Sequence, residues 1–252
     1  MVFVMSKVGI YGIYGGEDPR DLPAYPLPEV AHFLWVARSK LARWALGYEV
    51  ETRHQPVVRI ADPSRRLLSF NNLAELHVLS ALRYYNVPLQ RIRRGIKYLQ
   101  QNVVGLDHPH PLLARELHTD GIGIFVEQLG QFQNITRDGQ GVLRQLFEAH
   151  LRRIERDPNK DSVLRLFPFV RPPDRLDALE LTTETTNQPH AVSIDPIVSF
   201  GRPVVAGTRV PTVELANRFS AGEPIDSLAA DLDLPPYLIE EAIRYQLATR
   251  VA

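Results

Sequence analysis

The chain has 252 residues, with 29 Lys/Arg and 29 Asp/Glu, 44% hydrophobic residues and no cysteine; this is the profile of a soluble globular protein with one large domain or two to three small ones. Missing thiols exclude disulfides and thiolate metal sites, and no apolar run approaches the ~20 residues of a membrane span. The neutral total hides a gradient: residues 1–97 carry 14 basic and 8 acidic side chains, whereas residues 98–189 and 190–252 are each acidic by three. A basic front on a neutral chain is the footprint of a nucleic-acid contact confined to one part, or simply of a solvated face.

The opening MVFVMSKVGIYGIYGG has too short an apolar part and no cleavage pattern, so no signal peptide is expected and the cytoplasm is the expected location. Residues 22–47 are punctuated as two short helices. Pro28 suits a first helical turn, Val30, Ala31, Phe33 and Leu34 are apolar, WVA is a tight connection, and Arg38 or Ser39 opens a second helix that ends at Gly47. Leu41, Trp44 and Ala45 share one face of it, and Arg38, Ser39, Lys40 and Arg43 project elsewhere. Two short helices joined in this way make a helix-turn-helix.

Residues 48–70 read as extended, with Val57, Val58 and Ile60 as strand formers and ADPS as a turn. A short hairpin here would be a wing carrying Arg53, Arg59, Arg65 and Arg66. Helical spacing returns at 71–101, with Asn71 or Asn72 as cap and a second segment from Pro88 whose Leu89, Ile92, Ile96 and Leu99 share a face. Its Arg91, Arg93, Arg94 and Lys97 are a further basic face, for DNA or for solvent.

Residues 112–117 suggest a short helix. GIGIFVEQLGQFQNIT reads as a hairpin, with Ile122, Ile124 and Val126 alternating and Gly130 in the turn. Residues 139–157 form a strongly amphipathic helix, through Val142, Leu143, Leu146, Phe147, Leu151 and Ile154. That stripe fits a dimer interface and burial inside its own domain equally well. A strand is expected within 158–168, and residues 179–189 read as a linker.

The C-terminal piece promises three helices, the first after Pro211 with Thr212 as cap, the second from near Pro224, the third from Pro235 or Pro236. Before them stands GRPVVAGTRVP. Its glycines permit φ > 0 and its prolines fix neighbouring φ, so it reads as a rigid turn whose PVVA pairs with VSI at 192–194. Thr208 is a candidate cap there. Arg202 and Arg209 are candidates to grip a partner.

The pattern I-D-P-x-x-x-x-G-R-P-V-x-x-G-T-R-V-P, followed by A-G-E-x-I-x-x-L-A-x-D and I-E-x-A-I-R-Y, resembles the DUF433 family over about residues 190–247. LPEVAHFLWVARSKLARWA, LLSFNNLAELHVLSALR, HPLLARELHTDG and GQGVLRQLFEAHLRRIERDP are similar to the region preceding that domain in VapB45-like antitoxins of mycobacteria and other bacteria. The first of these stretches also looks MerR-like. The resemblance implies a mainly α fold with small β elements: a winged helix-turn-helix region with a helical extension at 1–178, a linker at 179–189, and a homeodomain-like three-helix domain at 190–252. It implies an antitoxin of a type II toxin-antitoxin system that neutralises a PIN-like ribonuclease toxin and represses its own promoter as a dimer.

The residues themselves choose between two helix-turn-helix candidates. The second helix of the C-terminal one carries Glu240 and Glu241 against a single Arg244, and carboxylates are repelled by phosphates. DNA is therefore expected at Arg38, Ser39, Lys40 and Arg43, with Arg65 and Arg66 in the wing; a charged outer face of an ordinary helix is the bland alternative. No phosphate loop, nucleophile elbow or dinucleotide fingerprint occurs, so no catalytic residue and no cofactor is assigned. His108 with His110, and His118 with Asp120, are the pairs a metal site would use, but spacing supplies no third ligand. A stand-alone transcriptional regulator without a toxin, and a pure interaction module, are the rival readings.

Overall fold

A computed structural model describes residues 12–49, 53–105, 108–117, 121–133, 137–170 and 188–248. The chain is mainly helical, with four two-stranded antiparallel pairs among those residues. Strand β1 (Tyr25–Pro26) runs into helix α1 (Leu27–Phe33), which buries Val30, Ala31 and Phe33. Residues 34–37 turn the chain through a left-handed Trp35 (φ 57°) into α2 (Arg38–Ala45). Arg38 is the first helical residue, and Leu41, Trp44 and Ala45 are buried at the expected spacing.

The hairpin after α2 is shorter and earlier than the sequence suggests. It consists of β2 (Tyr48–Glu49) and β3 (Arg53–His54). Val57, Val58 and Ile60 lie outside any strand. The amides of Val57 and Val58 donate to Trp44 O at 2.8 and 3.3 Å, and Val58 and Ile60 are buried. Their β-branched bulk fills core space beside α2, which mimics a strand signal in composition. Residues 62–67 form the expected turn, closed by Asp62–Leu67 backbone bonds of 3.0 Å both ways, and β4 (Leu67–Leu68) pairs back with β1.

Helix α3 (Phe70–Tyr84) is capped by Ser69, where the sequence suggests Asn71 or Asn72. Ser69 Oγ accepts from Asn72 N and Asn72 Oδ1 accepts from Ser69 N, both at 3.1 Å, a reciprocal box. Helix α4 (Leu89–Leu99) buries Ile92, Ile96 and Leu99 as expected. The expected hairpin at 121–136 is instead helix α5 (Ile122–Gln133). The spacing of Ile122, Phe125, Val126 and Leu129 is helical and all four are buried, while Ile124 of the supposed alternation is 42% exposed. Gly130 sits at a helix crossing, where an added Cβ would lie 2.6 Å from the Gln140 side chain.

Helix α6 (Arg137–Leu151) ends before Ile154, which belongs to β5 (Ile154–Arg156), paired with β6 (Val163–Leu166). Leu143, Leu146, Phe147 and Leu151 pack into the large core of the same chain. The amphipathic stripe is thus taken up internally, and the dimer-interface reading of it falls away.

At the C-terminal end, β7 (Val192–Ser193) pairs with β8 (Val204–Val205), as the turn chemistry suggests. Helices α7 (Thr212–Ser220), α8 (Ile225–Leu232) and α9 (Pro236–Ala248) follow. Pro211 is the N-cap of α7. Thr212 is the first helical residue, and its hydroxyl is directed to Gln246 Oε1 at 2.8 Å. A second, smaller core forms from these elements, and Trp35 of the first helix-turn-helix packs against it.

The two cores are fastened together. Leu166 and Ile194 exchange backbone hydrogen bonds of 3.0 and 2.8 Å, which joins the β6 and β7 edges. Trp35 Nε1 donates to Phe169 O at 2.7 Å, and Tyr245 Oη of α9 donates to Phe33 O of α1 at 3.2 Å. Arg153 is a buried cation that donates to the carbonyls of Phe167, Pro168, Gln188 and Pro189, thereby tying both sides of residues 171–187. Carbonyl dipoles offset the loss of water, and burial still draws the guanidinium pKa down to about 10. Most of the expected linker, 179–187, lies outside the described residues.

Candidate nucleic-acid interface

Helix α2 is amphipathic with its charges outward. Residues 37–40 and Arg43 are all exposed, opposite the buried Leu41 and Trp44. Ser39, Lys40 and Arg43 share that outer side, since a helix brings positions three and four apart together. Arg38 stands at the N-terminal end of the same helix. Arg38, Lys40 and Arg43 have no ion pair among the described residues. The Arg43 guanidinium instead lies 5.8 Å from the centre of the Tyr48 ring, which stacks on His54 at 4.4 Å. Such a contact orients the cation without neutralising it.

The β2–β3 hairpin therefore flanks the helix, and its start is fixed by Gly47. That residue has φ 78°, and a Cβ would lie 2.3 Å from His54 O. The hairpin is further tied to α4, where Arg93 Nη2 donates to Gln55 O. On α4, Arg94 and Lys97 are exposed. Residue spacing alone does not mark out Tyr48 and His54, although a glycine stop followed at once by tyrosine is the local signal of a hairpin.

Arg65 and Arg66 are exposed but do not lie on the hairpin that follows α2, a correction to the expected wing. They sit in the 62–67 turn, whose Asp62 Oδ1 accepts from Ser64 Oγ at 2.6 Å and from Arg65 N at 2.9 Å. The pairing of Pro26 with Leu67 places that turn beside the start of α1. Geometry thus groups Arg38, Ser39, Lys40 and Arg43 on one helix and puts Arg65 and Arg66 at a separate loop of the same module.

The C-terminal helix pair differs in charge. Arg244 on α9 bonds Glu241 and, at 2.6 Å, Glu240. Arg218 is held by Glu223 at 2.6 Å and Asp231 at 2.8 Å. Arg202 and Arg209 are exposed near the turn at 199–211, where Ser199 Oγ donates to Arg209 O at 3.2 Å. Thr208 caps no helix there: its hydroxyl donates to Val205 O and accepts from Val210 N, which closes the turn on itself.

The histidine pairs with metal-site spacing separate. His110 Nδ1 lies 2.9 Å from Glu75 Oε2 and its Nε2 lies 3.6 Å from Asp21 Oδ1. Burial opposes a charge on this ring, but bonds to both carboxylates outweigh it and raise its pKa to about 9. His108 turns instead to Asp161 at 3.3 Å. His118 and Asp120 lie outside the described residues.

Comparison with known proteins adds two domain matches. Residues 23–96 match the family described as "Putative DNA-binding HTH domain", and residues 192–246 match "Protein of unknown function (DUF433)". Along most of its length the chain is similar to "Putative antitoxin VapB45" of Mycobacterium tuberculosis, with 31% identity over 88% of this chain and 93% of that protein. It is also 26% identical to "Uncharacterized protein Rv2308" of the same organism, over 92% and 93% of the two chains. The crystal structure of Rv2018 from Mycobacterium tuberculosis shares the fold, with a TM-score of 0.64 and 24% identity over 90% of this chain and all of that one.

Proposed function

Since the chain belongs to the family of VapB45-like antitoxins, with a helix-turn-helix domain in front and a DUF433 domain behind, we propose that it neutralises a PIN-like ribonuclease toxin and represses its own promoter. The observation that carries the DNA half is the cationic face of α2, with Arg38, Lys40 and Arg43 all exposed and without ion pairs among the described residues. Phosphate neutralisation by such side chains supplies most of the affinity for a duplex, and an outward second helix is the element that enters a major groove. Ser39 adds a neutral donor and acceptor on the same side. Arg65 and Arg66, at the loop beside α1, are assigned to the neighbouring backbone.

Toxin contact falls to the C-terminal domain, with Arg202 and Arg209 as the residues that meet carboxylates, a pairing for which guanidinium forks are suited. Two copies bind the operator, as a palindromic site requires. The protein acts as a cytoplasmic, non-enzymatic regulator; no helix among the described residues is long and apolar enough to cross a membrane.

Two measurements test this. Coexpression with the neighbouring open reading frame should copurify a small acidic nuclease and abolish its RNA cleavage. Gel shifts on the promoter should show binding that the double variant Lys40→Ala/Arg43→Ala loses. Promoter binding without any copurifying nuclease would leave a stand-alone regulator; no promoter binding would remove the DNA assignment.

A further inference from the structure

The loop between β7 and β8 carries an arrangement that folding alone does not require. Ser199, Phe200 and Gly201 are consecutive left-handed residues, with φ of 48°, 54° and 75°. Gly201 has a packing reason, because a Cβ there would fall 1.9 Å from the Tyr25 hydroxyl. Phe200 has none of this kind. It is 76% exposed, the most exposed large hydrophobic residue among the described ones, and a left-handed backbone is costly for a bulky L-residue. Glycine or asparagine would hold the same turn with less strain and without presenting an aromatic to water.

The loop backbone is nevertheless held by hydrogen bonds. Asp195, almost fully buried, accepts Ile197 N on its side chain and Val198 N on its carbonyl, both at 2.9 Å, and meets Arg165 at 3.3 Å. Tyr14 Oη donates to Pro196 O at 3.0 Å. The ring is thus held out on a fixed support, with Ile197 (45% exposed) in the same loop. Ser199, its chain neighbour, holds the Arg209 backbone, and Arg202 follows two residues on. These two arginines lack ion pairs among the described residues, whereas Arg218 and Arg244 of the same domain are each bound by two carboxylates. Residues 190–252 carry 5 basic and 8 acidic side chains, so this is a local cationic rim on an acidic domain, unsuited to a polyanion and suited to a protein surface with carboxylates.

We infer that Phe200 is the anchor by which the C-terminal domain grips the toxin, entering an apolar pocket edged by carboxylates that Arg202 and Arg209 engage. This rests on the antitoxin reading and deepens it. A loop backbone held in advance loses less entropy on docking, and an exposed aromatic among arginines is the composition of an interface hot spot.

The test uses the full chain and the purified product of the neighbouring open reading frame, titrated by calorimetry. Phe200→Ala and Phe200→Gly are expected to raise Kd by at least about 30-fold, the mark of a hot-spot residue. Phe200→Gly should do so with an unchanged or higher melting temperature, since the left-handed strain is relieved. That combination separates a binding defect from a folding defect. Arg202→Ala/Arg209→Ala should weaken binding most at low salt, through a slower on-rate. Wild-type binding with Phe200 variants within about threefold of it would overturn the anchor and leave the antitoxin standing. Absence of wild-type binding would overturn both. If Phe200→Ala lowers the sedimentation mass of the free protein while toxin affinity is unchanged, the ring serves a second copy of this chain and the inference fails.

Discussion

The molecule contains two helix-turn-helix units, and they differ less in shape than in what happens to their charges. Both turns pass through a left-handed residue, Trp35 in the first and Asp233 in the second. Both second helices bury an apolar stripe. On α2 the exposed Arg38, Lys40 and Arg43 have no ion pair among the described residues; on α9 the one arginine of the 236–248 stretch is held between Glu240 and Glu241. The opposite side of α9 is occupied as well, because Tyr245 is fully buried against α1 and Trp35. Shared geometry therefore does not decide which unit meets DNA. What distinguishes the two is the cations left over after intramolecular pairing among the described residues.

The largest effect expected follows from that difference. Lys40→Ala/Arg43→Ala should weaken operator binding by about 100-fold at low salt and lower the slope of log K against log salt by about two, one for each phosphate no longer neutralised. Adding Glu240→Lys/Glu241→Lys to that variant should not restore binding, although it returns more charge than was removed. Recovery measured by fluorescence anisotropy would break the comparison, by showing that net charge and not placement governs the contact.

The second effect concerns how the units are joined. Gly201→Ala adds a Cβ where the buried Tyr25 hydroxyl stands and places a non-glycine at φ 75°. A loss of about 2–4 kcal/mol is expected from overpacking and strain together, read as a fall of roughly 5–12 °C in melting temperature. A fall confined to one of two separate transitions would show that the domains unfold independently.

Legibility in the sequence follows the same division. The last three helices and the β7–β8 pair are readable because proline and glycine punctuate them and the apolar spacing between is regular. The outward cations of α2 are readable for the same reason. The helix at Ile122–Gln133 is not, since isoleucine, valine and three glycines imitate a hairpin, and only burial of Phe125 and Leu129 settles the period. Nothing local could reveal that Tyr245 would bond Phe33, 212 positions away, or that Arg153 would bind four carbonyls. The exposed Phe200 is equally hidden, because exposure in a glycine-rich turn is a property of the neighbours that pack elsewhere.

A third, smaller effect separates the two regions by pH. Beyond His190 the chain has no histidine, so the histidine titrations belong to the rest. His110 has its pKa raised to about 9 by Asp21 and Glu75 against the opposing effect of burial. Its contribution is fully present below about pH 6.5, the unfolded value, and is lost as pH rises through about 9. Buried His77 and His150 act oppositely. Burial, aided by the nearby Arg153 charge, depresses both, His150 to about 3, so their contribution is present above pH 6.5 and declines as pH falls below it. Urea midpoints should therefore peak near neutrality, and His110→Gln should flatten only the alkaline limb, by on the order of 2 kcal/mol. An alkaline limb unchanged in that variant would remove His110 as its cause.

The smallest effect is the most discriminating for the comparison itself. Arg244→Ala deletes the only cation of α9 and releases Glu240 and Glu241 from it. Surface pairs at helical spacing contribute little, so stability should change by roughly 1 kcal/mol or less. If phosphate contacts come from α2 alone, operator affinity and its salt slope should stay within about twofold of wild type, because a charge already neutralised by two carboxylates releases no counterion from DNA. A fall of tenfold or more, with the slope reduced by one, would mean that Arg244 leaves its carboxylates for a phosphate on binding. The intramolecular pairs would then be a resting state of the C-terminal unit, and leftover charge could no longer be read from the free protein.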